Sequence, residues 1–171
     1  MGTLASNRKG FITGTSAANY ASSLNVTSGT ATDSATGNQN SIQYFKSSGR
    51  GGGTFRFVRT FIHFNTSGIS GASSISLQLT STAGNAGNGL HQVTAVKHTA
   101  GGGNGSAIVD NDFDNVDKST NYSNATAYGS SGTITFNLNS TAASQINGGN
   151  DFNIALLLTA DVAGEEEDPL E

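Results

Sequence analysis

The chain has 171 residues, is rich in Gly, Ser, Thr and Asn, and has only 12% charged residues and one proline. This length is enough to bury one substantial core, and the low charge and scarce proline exclude the usual composition of a disordered protein. The absence of cysteine excludes a disulfide framework and thiol chemistry, and a formal net charge of -4 does not favour a nucleic-acid partner.

The first segment of the chain, residues 1–39, is small and polar with scattered apolar positions. Its composition favours an extended N-terminal arm, or a weak first strand followed by a loop. We expect this arm to lie over another subunit and to be loose in an isolated monomer, because it has little apolar surface of its own to bury. The candidate partner-binding residues on it are Arg8, Lys9, Phe11, Ile12 and Tyr20.

Alternation of apolar and polar residues predicts strands along the rest of the chain. The segments that show this pattern are 40–48, 54–66, 75–81, 89–99, 106–109, 132–139 and 151–161. The densest segment, TFRFVRTFIHFNT at 54–66, changes its apolar face near Val58, which indicates a β-bulge between Val58 and Arg59.

Two other elements interrupt the predicted strands. DNDFDNVD at 110–117 is predicted to be a turn that buries Phe113 and Val116, and STAASQINGG at 140–149 is predicted to be a short helix. Ser140 would cap that helix and Gly148 would end it. About eight strands and one short helix predict an all-β fold, a jelly-roll-like antiparallel β-sandwich over residues 40–163, followed by an acidic tail at 164–171.

The predicted core lies between two sheets. Its members are Phe61 or Ile62, Phe64, Leu77, Leu79, Phe136, Leu156 and Leu158. If Phe64 is central to this core, its truncation to alanine costs about 3–5 kcal/mol.

Charge is divided unevenly along the chain. Seven basic residues and one acid precede residue 101, and one base and eleven acids follow, so the two parts carry about +6 and -10. Every glutamate lies in the last seven residues, EEEDPLE. The tail could be a solvated segment, or it could meet the basic part of its own or a neighbouring copy, as suits a protein that assembles into a trimer or other homo-oligomer.

The stretch YFKSSGRGGGTFRFVRTFIHFNTSGISG resembles a block typical of β-sandwich domains in virion proteins of marine and cyanobacterial phages. VTAVKHTA, DFDNVD and TITFNLNSTAASQIN resemble the later blocks of that family in the same order, so the resemblance spans about residues 40–160. The strand is similar, more distantly, to one in carbohydrate-binding sandwiches. The resemblance implies a non-enzymatic virion structural protein, either a capsid decoration (cement) protein or a tail-fibre-type protein.

The resemblance also sets the expected location and partners. A free-standing domain of this size suits capsid decoration, with a capsid or tail protein as its partner and the virion as its location. Synthesis in the host cytoplasm is expected because MGTLASNRKGF lacks the apolar segment of a secretory signal. The Gly/Arg run and aromatic residues at 49–64 also fit an RNA-binding surface, but the acidic pI of about 5.2 favours a core strand. We expect no nucleic-acid or membrane partner.

Candidate sites are few. Asp110, Asp112 and Asp114 begin like a calcium loop but lack its glycine and final glutamate, so the carboxylates are expected to cap a turn, with calcium as the alternative and no other cofactor. If the chain is instead a tail-associated module that binds a host glycan, exposed aromatic rings would stack on the sugar. The best candidates for that role are Tyr122 and Tyr128.

Overall fold

A computed structural model describes residues 2–34, 41–47, 53–81, 91–99, 106–128, 131–149 and 151–165. In chain order, the described elements are β1 (Arg8–Gly14), α1 (Tyr20–Leu24), β2 (Gly29–Ser34), β3 (Gln43–Ser47), β4 (Thr54–Phe64), β5 (Ile75–Ser81), β6 (His91–His98), a 3₁₀ turn (Asp110–Phe113), β7 (Val116–Asn121), β8 (Thr126–Tyr128), β9 (Gly132–Leu138), α2 (Ser140–Asn147), β10 (Phe152–Leu158) and α3 (Thr159–Ala163). The ends of the predicted strands 40–48 and 89–99, and the tail from residue 166 onward, lie outside the described residues.

The described strands form two antiparallel sheets of unequal size. The larger has eight strands in the order β2-β1-β4-β10-β6-β7, with β3 paired to β4 and β8 paired to β6. The smaller consists of β5 and β9, whose inward residues Leu77, Ile134 and Phe136 join the core of the larger sheet. The predicted all-β antiparallel sandwich is therefore confirmed, with most of its strands in one layer.

β4 is the centre of the larger sheet and is covered on both faces. Every residue from Phe57 to His63 is buried. The pairing of β4 with β1 and β10 runs without a register break, so the predicted bulge between Val58 and Arg59 is wrong. The apparent change of apolar face arises because a strand buried on both sides loses the alternation that marks a half-exposed one.

The N-terminal segment belongs to the sheet rather than to a neighbouring subunit. β1 pairs with β4 through residues such as Lys9 opposite Ile62, and β2 pairs with the outer side of β1. The first-strand interpretation is therefore correct, and the loose arm is wrong for residues 8–34. The segment contributes backbone hydrogen bonds to the edge of β4, and its small residues permit close packing: a Cβ at Gly14 would lie 2.5 Å from the Phe113 ring.

The predicted short helix is present as α2. It is capped one residue earlier than expected, because the Asn139 side chain accepts hydrogen bonds from the backbone of Thr141 and Ala142, and it ends at Gly148 as predicted. The predicted strand at 106–109 is not a strand, and the last predicted strand stops at Leu158. The turn prediction at 110–117 covers the 3₁₀ turn, which buries Phe113, and the start of β7.

Most of the predicted core is confirmed. The buried members are Phe61, Ile62, Leu77, Phe136, Leu156 and Leu158. Phe64 and Leu79 are only partly buried, because they lie near the ends of β4 and β5. The expectation that Phe64 is a central core residue is therefore corrected in favour of Phe61, which is 0% exposed.

Candidate functional site

The predicted partner-binding residues of the N-terminal segment make intramolecular contacts. The Arg8 guanidinium forms an ion pair with Asp33 of β2, and this hydrogen-bonded pairing lowers the pKa of the Asp33 carboxyl. Ile12 is 0% exposed, and Tyr20 is 6% exposed. Phe11 and Lys9 are half-buried on β1. The side chains of Arg8, Ile12 and Tyr20 therefore serve the ion pairs and packing of their own chain, and docking through this segment stays a prediction.

The predicted glycan platform is not formed by Tyr122. Its ring is 0% exposed and packs 5.1 Å from the Phe152 ring, and its hydroxyl donates a hydrogen bond to Gln145 of α2. Burial raises the pKa of Tyr122 to about 12. Tyr128 is at the end of β8, and its side chain lies outside the described part of the structure.

Two of the three aspartates considered for calcium, Asp110 and Asp112, accept hydrogen bonds from backbone amides. One carboxylate oxygen of Asp112 accepts from the Val109 amide at 3.0 Å, and the other accepts from Asn115 Nδ2 at 3.0 Å. Asp110 accepts from the Ala31 amide at 2.8 Å, while Asp114 is exposed. Within the described ranges, no three His, Asp or Glu side chains are grouped to hold a metal ion.

We expect the stability of the protein to be indifferent to chelator, because the Asp112 carboxylate is already used as a cap. Melting curves with and without EGTA test this, and a fall in Tm that calcium restores would contradict it. Asp112→Ala should still lower stability by about 1 kcal/mol, the usual effect of losing a cap. This variant shows that the assay detects the loss of the turn.

A buried ionic cluster ties the end of the chain to β4. The Arg59 guanidinium, 0% exposed as a residue, donates two hydrogen bonds of 2.7 Å to the Asp161 carboxylate of α3. It also donates to the Phe113 carbonyl and lies 4.0 Å from the Phe113 ring centroid. Lys118 Nζ of β7 reaches the same carboxylate at 2.9 Å. Paired and hydrogen-bonded in this way, the buried charges join four elements into one unit.

A second buried polar cluster is formed by two histidines on the same sheet. His63 Nε2 and His98 Nδ1 lie 3.0 Å apart, so one ring donates to the other, and both residues are at most 2% exposed. Their outer nitrogens, and Oδ1 of the intervening Asn153, have no hydrogen-bond partner among the described residues. Burial lowers the pKa of both rings, and for His98 to about 3, with the adjacent His63 contributing.

This pair predicts a loss of stability in mild acid. Histidine has an ordinary pKa of 6.5, so as pH falls below that value the unfolded chain takes up protons that the folded chain excludes. Stability is complete above about pH 6.5 and decreases as the pH falls below it, with His98 contributing up to about 1.4 kcal/mol per pH unit down to about pH 3 and His63 acting in the same direction.

Urea unfolding at several pH values between about 7.5 and 4.5 tests this expectation, because Asp33 and Asp117, whose pKa values are lowered, titrate below that range. A flat free energy of unfolding over this range would contradict it.

Cations and aromatic rings pair on both faces of the hairpin of β3 and β4, and we call Phe45 and Arg56, which share one face, the hairpin surface. Phe45 is opposite Arg56 and Lys46 is opposite Phe55 in the register of the two strands. The Arg56 guanidinium lies 4.5 Å from the Phe45 ring centroid, and Lys46 Nζ lies 5.8 Å from the Phe55 centroid. Phe45 is 38% exposed, among the most exposed large apolar residues described.

The last described residue of the chain lies near this hairpin. Tyr20 of α1 packs edge-on against Tyr44 and Phe57, at 5.6 and 5.5 Å between ring centroids, and its hydroxyl donates to the Glu165 carbonyl. Residues two apart on a strand share a face, so Lys46 lies on the same face of the hairpin as Tyr44. The acidic end of the chain therefore leaves the fold on the side of the hairpin that carries Lys46.

Comparisons with known proteins do not place the chain in a family: no family model, curated protein or solved structure matches it. Among the residues that the structure describes, no helix is both long and apolar enough to span a membrane.

Proposed function

We propose that this chain is a virion structural protein, a non-enzymatic capsid decoration subunit that docks on a phage particle through its hairpin surface. The observation that carries the proposal is the exposed Phe45–Arg56 pair on a rigid sandwich. The resemblance of residues 40–160 to phage virion sandwiches supports it. The exposed hairpin surface now takes the docking role that the sequence suggested for residues 1–39.

The chemistry of the hairpin surface indicates the kind of partner. The Arg56 guanidinium lies over the exposed ring of Phe45, and arginine and aromatic residues are enriched at the centres of protein interfaces. A surface of this kind fits an acidic patch on a capsid protein that also offers an apolar contact for Phe45. Because Arg56 already lies over the ring, docking immobilises few additional side-chain rotations.

The buried ionic cluster supports a structural role. Arg59 and Asp161 connect β4 to α3, and Lys118 adds β7, so the strand that carries Arg56 is braced at its middle. A braced strand transmits load between the docking surface and the rest of the sandwich, as a decoration subunit that stabilises a particle requires. The alternative of a glycan-binding tail module has less support, because Tyr122 is buried.

Add-back to particles that lack the protein tests the proposal. Arg56→Gln is expected to lose at least about tenfold in affinity for the particles, equivalent to ~1.4 kcal/mol. The charge-matched control is Lys97→Gln, which removes a half-buried lysine on β6, outside the hairpin. Equal occupancy by the wild type and Arg56→Gln, with both folded, would contradict docking through this surface.

A further inference from the structure

We propose that the cleft beside Phe45 and Arg56 is a binding site for one carboxylate, and that a glutamate or aspartate side chain of the capsid protein occupies it during docking. The inference rests on the proposed function and deepens it, because it narrows the partner of the hairpin surface to a single acidic side chain. Binding of a carboxylate concerns the isolated protein and is measured without a particle.

The cleft is built by three chain segments that meet on one face. Ala17 and Phe55 exchange backbone hydrogen bonds of 2.8 and 2.9 Å, and this pairing brings Ser16 opposite Arg56 on one side of β4. On the other side of β4, Phe45 is opposite Arg56. Residues that are directly opposite in an antiparallel ladder share a face. Ser16, Arg56 and Phe45 therefore form one row, with the arginine at its centre.

A second row supplies hydroxyl groups. Ser47 is opposite Thr54, and their hydroxyl oxygens lie 2.7 Å apart. The Thr54 amide also donates to Ser47 Oγ at 3.3 Å. Because one hydroxyl hydrogen is used between the two oxygens, the other is free to donate to a ligand. The two rows line a cleft of about 230 Å³.

The charge of the cleft is uncompensated within the described part of the chain. Of the three arginines that the structure describes, Arg8 and Arg59 are each paired with an aspartate, whereas Arg56 has no acidic partner among the described residues. Its guanidinium lies over the Phe45 ring instead. A planar guanidinium binds a carboxylate through two parallel hydrogen bonds, and the neighbouring hydroxyl groups add further donors. The cleft therefore favours an anionic ligand.

The size and shape of the cleft favour an amino-acid side chain as that ligand. Clefts that enclose small molecules usually have volumes of about 300–1,000 Å³, and this one is smaller, at about 230 Å³. A sugar would stack on a bare aromatic face, but the Arg56 guanidinium lies 4.5 Å from the centroid of the Phe45 ring and covers one face. An acidic side chain places its carboxylate at Arg56 and its methylene groups against the exposed part of the ring.

NMR titration of the isolated protein tests the carboxylate site, with the Nε–H signal of Arg56 as the reporter. The probe is N-acetyl-glutamate α-amide, and the uncharged control is N-acetyl-glutamine α-amide. We expect saturable shifts with the glutamate probe and at least about tenfold weaker binding of the glutamine probe. Lys46→Gln, which removes a charge from the opposite face of the same hairpin, should bind the glutamate probe like the wild type. Equal binding of the two probes, no shift at Arg56, or tighter binding of glucuronate than of the glutamate probe would overturn the proposal.

Arg56→Lys separates the carboxylate site from the proposed function. This variant keeps the charge but loses the planar fork, so it should bind both the glutamate probe and the particles at least about tenfold more weakly than the wild type. Particle binding by Arg56→Lys that equals that of the wild type would overturn the carboxylate site and leave docking through charge intact. Probe binding by the wild type combined with no particle binding by either protein would support the site and contradict the proposed function.

Discussion

Replacing Asp161 by alanine is expected to cost about 3–5 kcal/mol of unfolding free energy, because it leaves the Arg59 guanidinium buried without its carboxylate. Arg59 has no exposed area, and both of its bonds to Asp161 are 2.7 Å long. The Phe113 carbonyl does not compensate for the missing charge, and the 2.9 Å contact of Lys118 with the Asp161 carboxylate is lost as well. Urea unfolding followed by circular dichroism at neutral pH measures the change.

Two further variants make this prediction specific. Arg8→Gln breaks the ion pair with Asp33, whose side chains are 23% and 19% exposed, and should cost no more than about 1 kcal/mol. Arg59→Met/Asp161→Leu removes both buried charges and should be more stable than Asp161→Ala alone. If Asp161→Ala costs no more than Arg8→Gln, the cluster does not brace the sandwich.

Truncating Phe61 to alanine is expected to cost about 3–5 kcal/mol, since its ring is fully buried at the centre of the larger sheet and packs 4.7 Å from the His98 ring. Phe64→Ala is the matched control: the same change on the same strand, at a residue that is only partly buried. It should cost roughly half as much, because less apolar area and a smaller cavity are involved. Chemical unfolding of both variants gives the comparison. A larger loss of unfolding free energy for Phe64→Ala than for Phe61→Ala would show that the core is centred on Phe64 and would contradict this account.

The sequence predicts those strands best that have one exposed face. In β5, Ile75, Leu77 and Leu79 alternate with polar residues because the other face of the strand is open to solvent. This alternation is what predicts the strand. β4 carries no such signal, since both of its faces are covered. The sequence predicts β1 less well for another reason. The glycines of β1 contribute backbone hydrogen bonds and close packing rather than buried apolar area, so the strand shows no regular alternation of apolar and polar residues.

The candidate sites show a similar division. The partners Arg59 and Asp161 are 102 residues apart, and no local pattern joins them, although an arginine in a dense apolar strand signals a buried ion pair. The exposure of Phe45 follows from parity alone: Tyr44 faces Phe57, so its neighbour must face the other way. The alternation in 40–48 puts Ile42 and Tyr44 on one face and Phe45 on the other, but it does not show which of the two faces is covered.

The uneven charge of the chain is partly resolved within the fold. Arg59 from the basic part meets Asp161 from the acidic part, in the intramolecular pairing that was one of the alternatives. Lys46 and Arg56 lie over aromatic rings.

Quantitative mass spectrometry of purified phage particles tests the central claim most directly. If the chain is a decoration subunit, its peptides should be present in a fixed ratio to the major capsid protein and should remain after salt washing that removes loosely adsorbed proteins. Absence of its peptides from washed particles, or an amount that varies from one preparation to the next, would contradict the assignment.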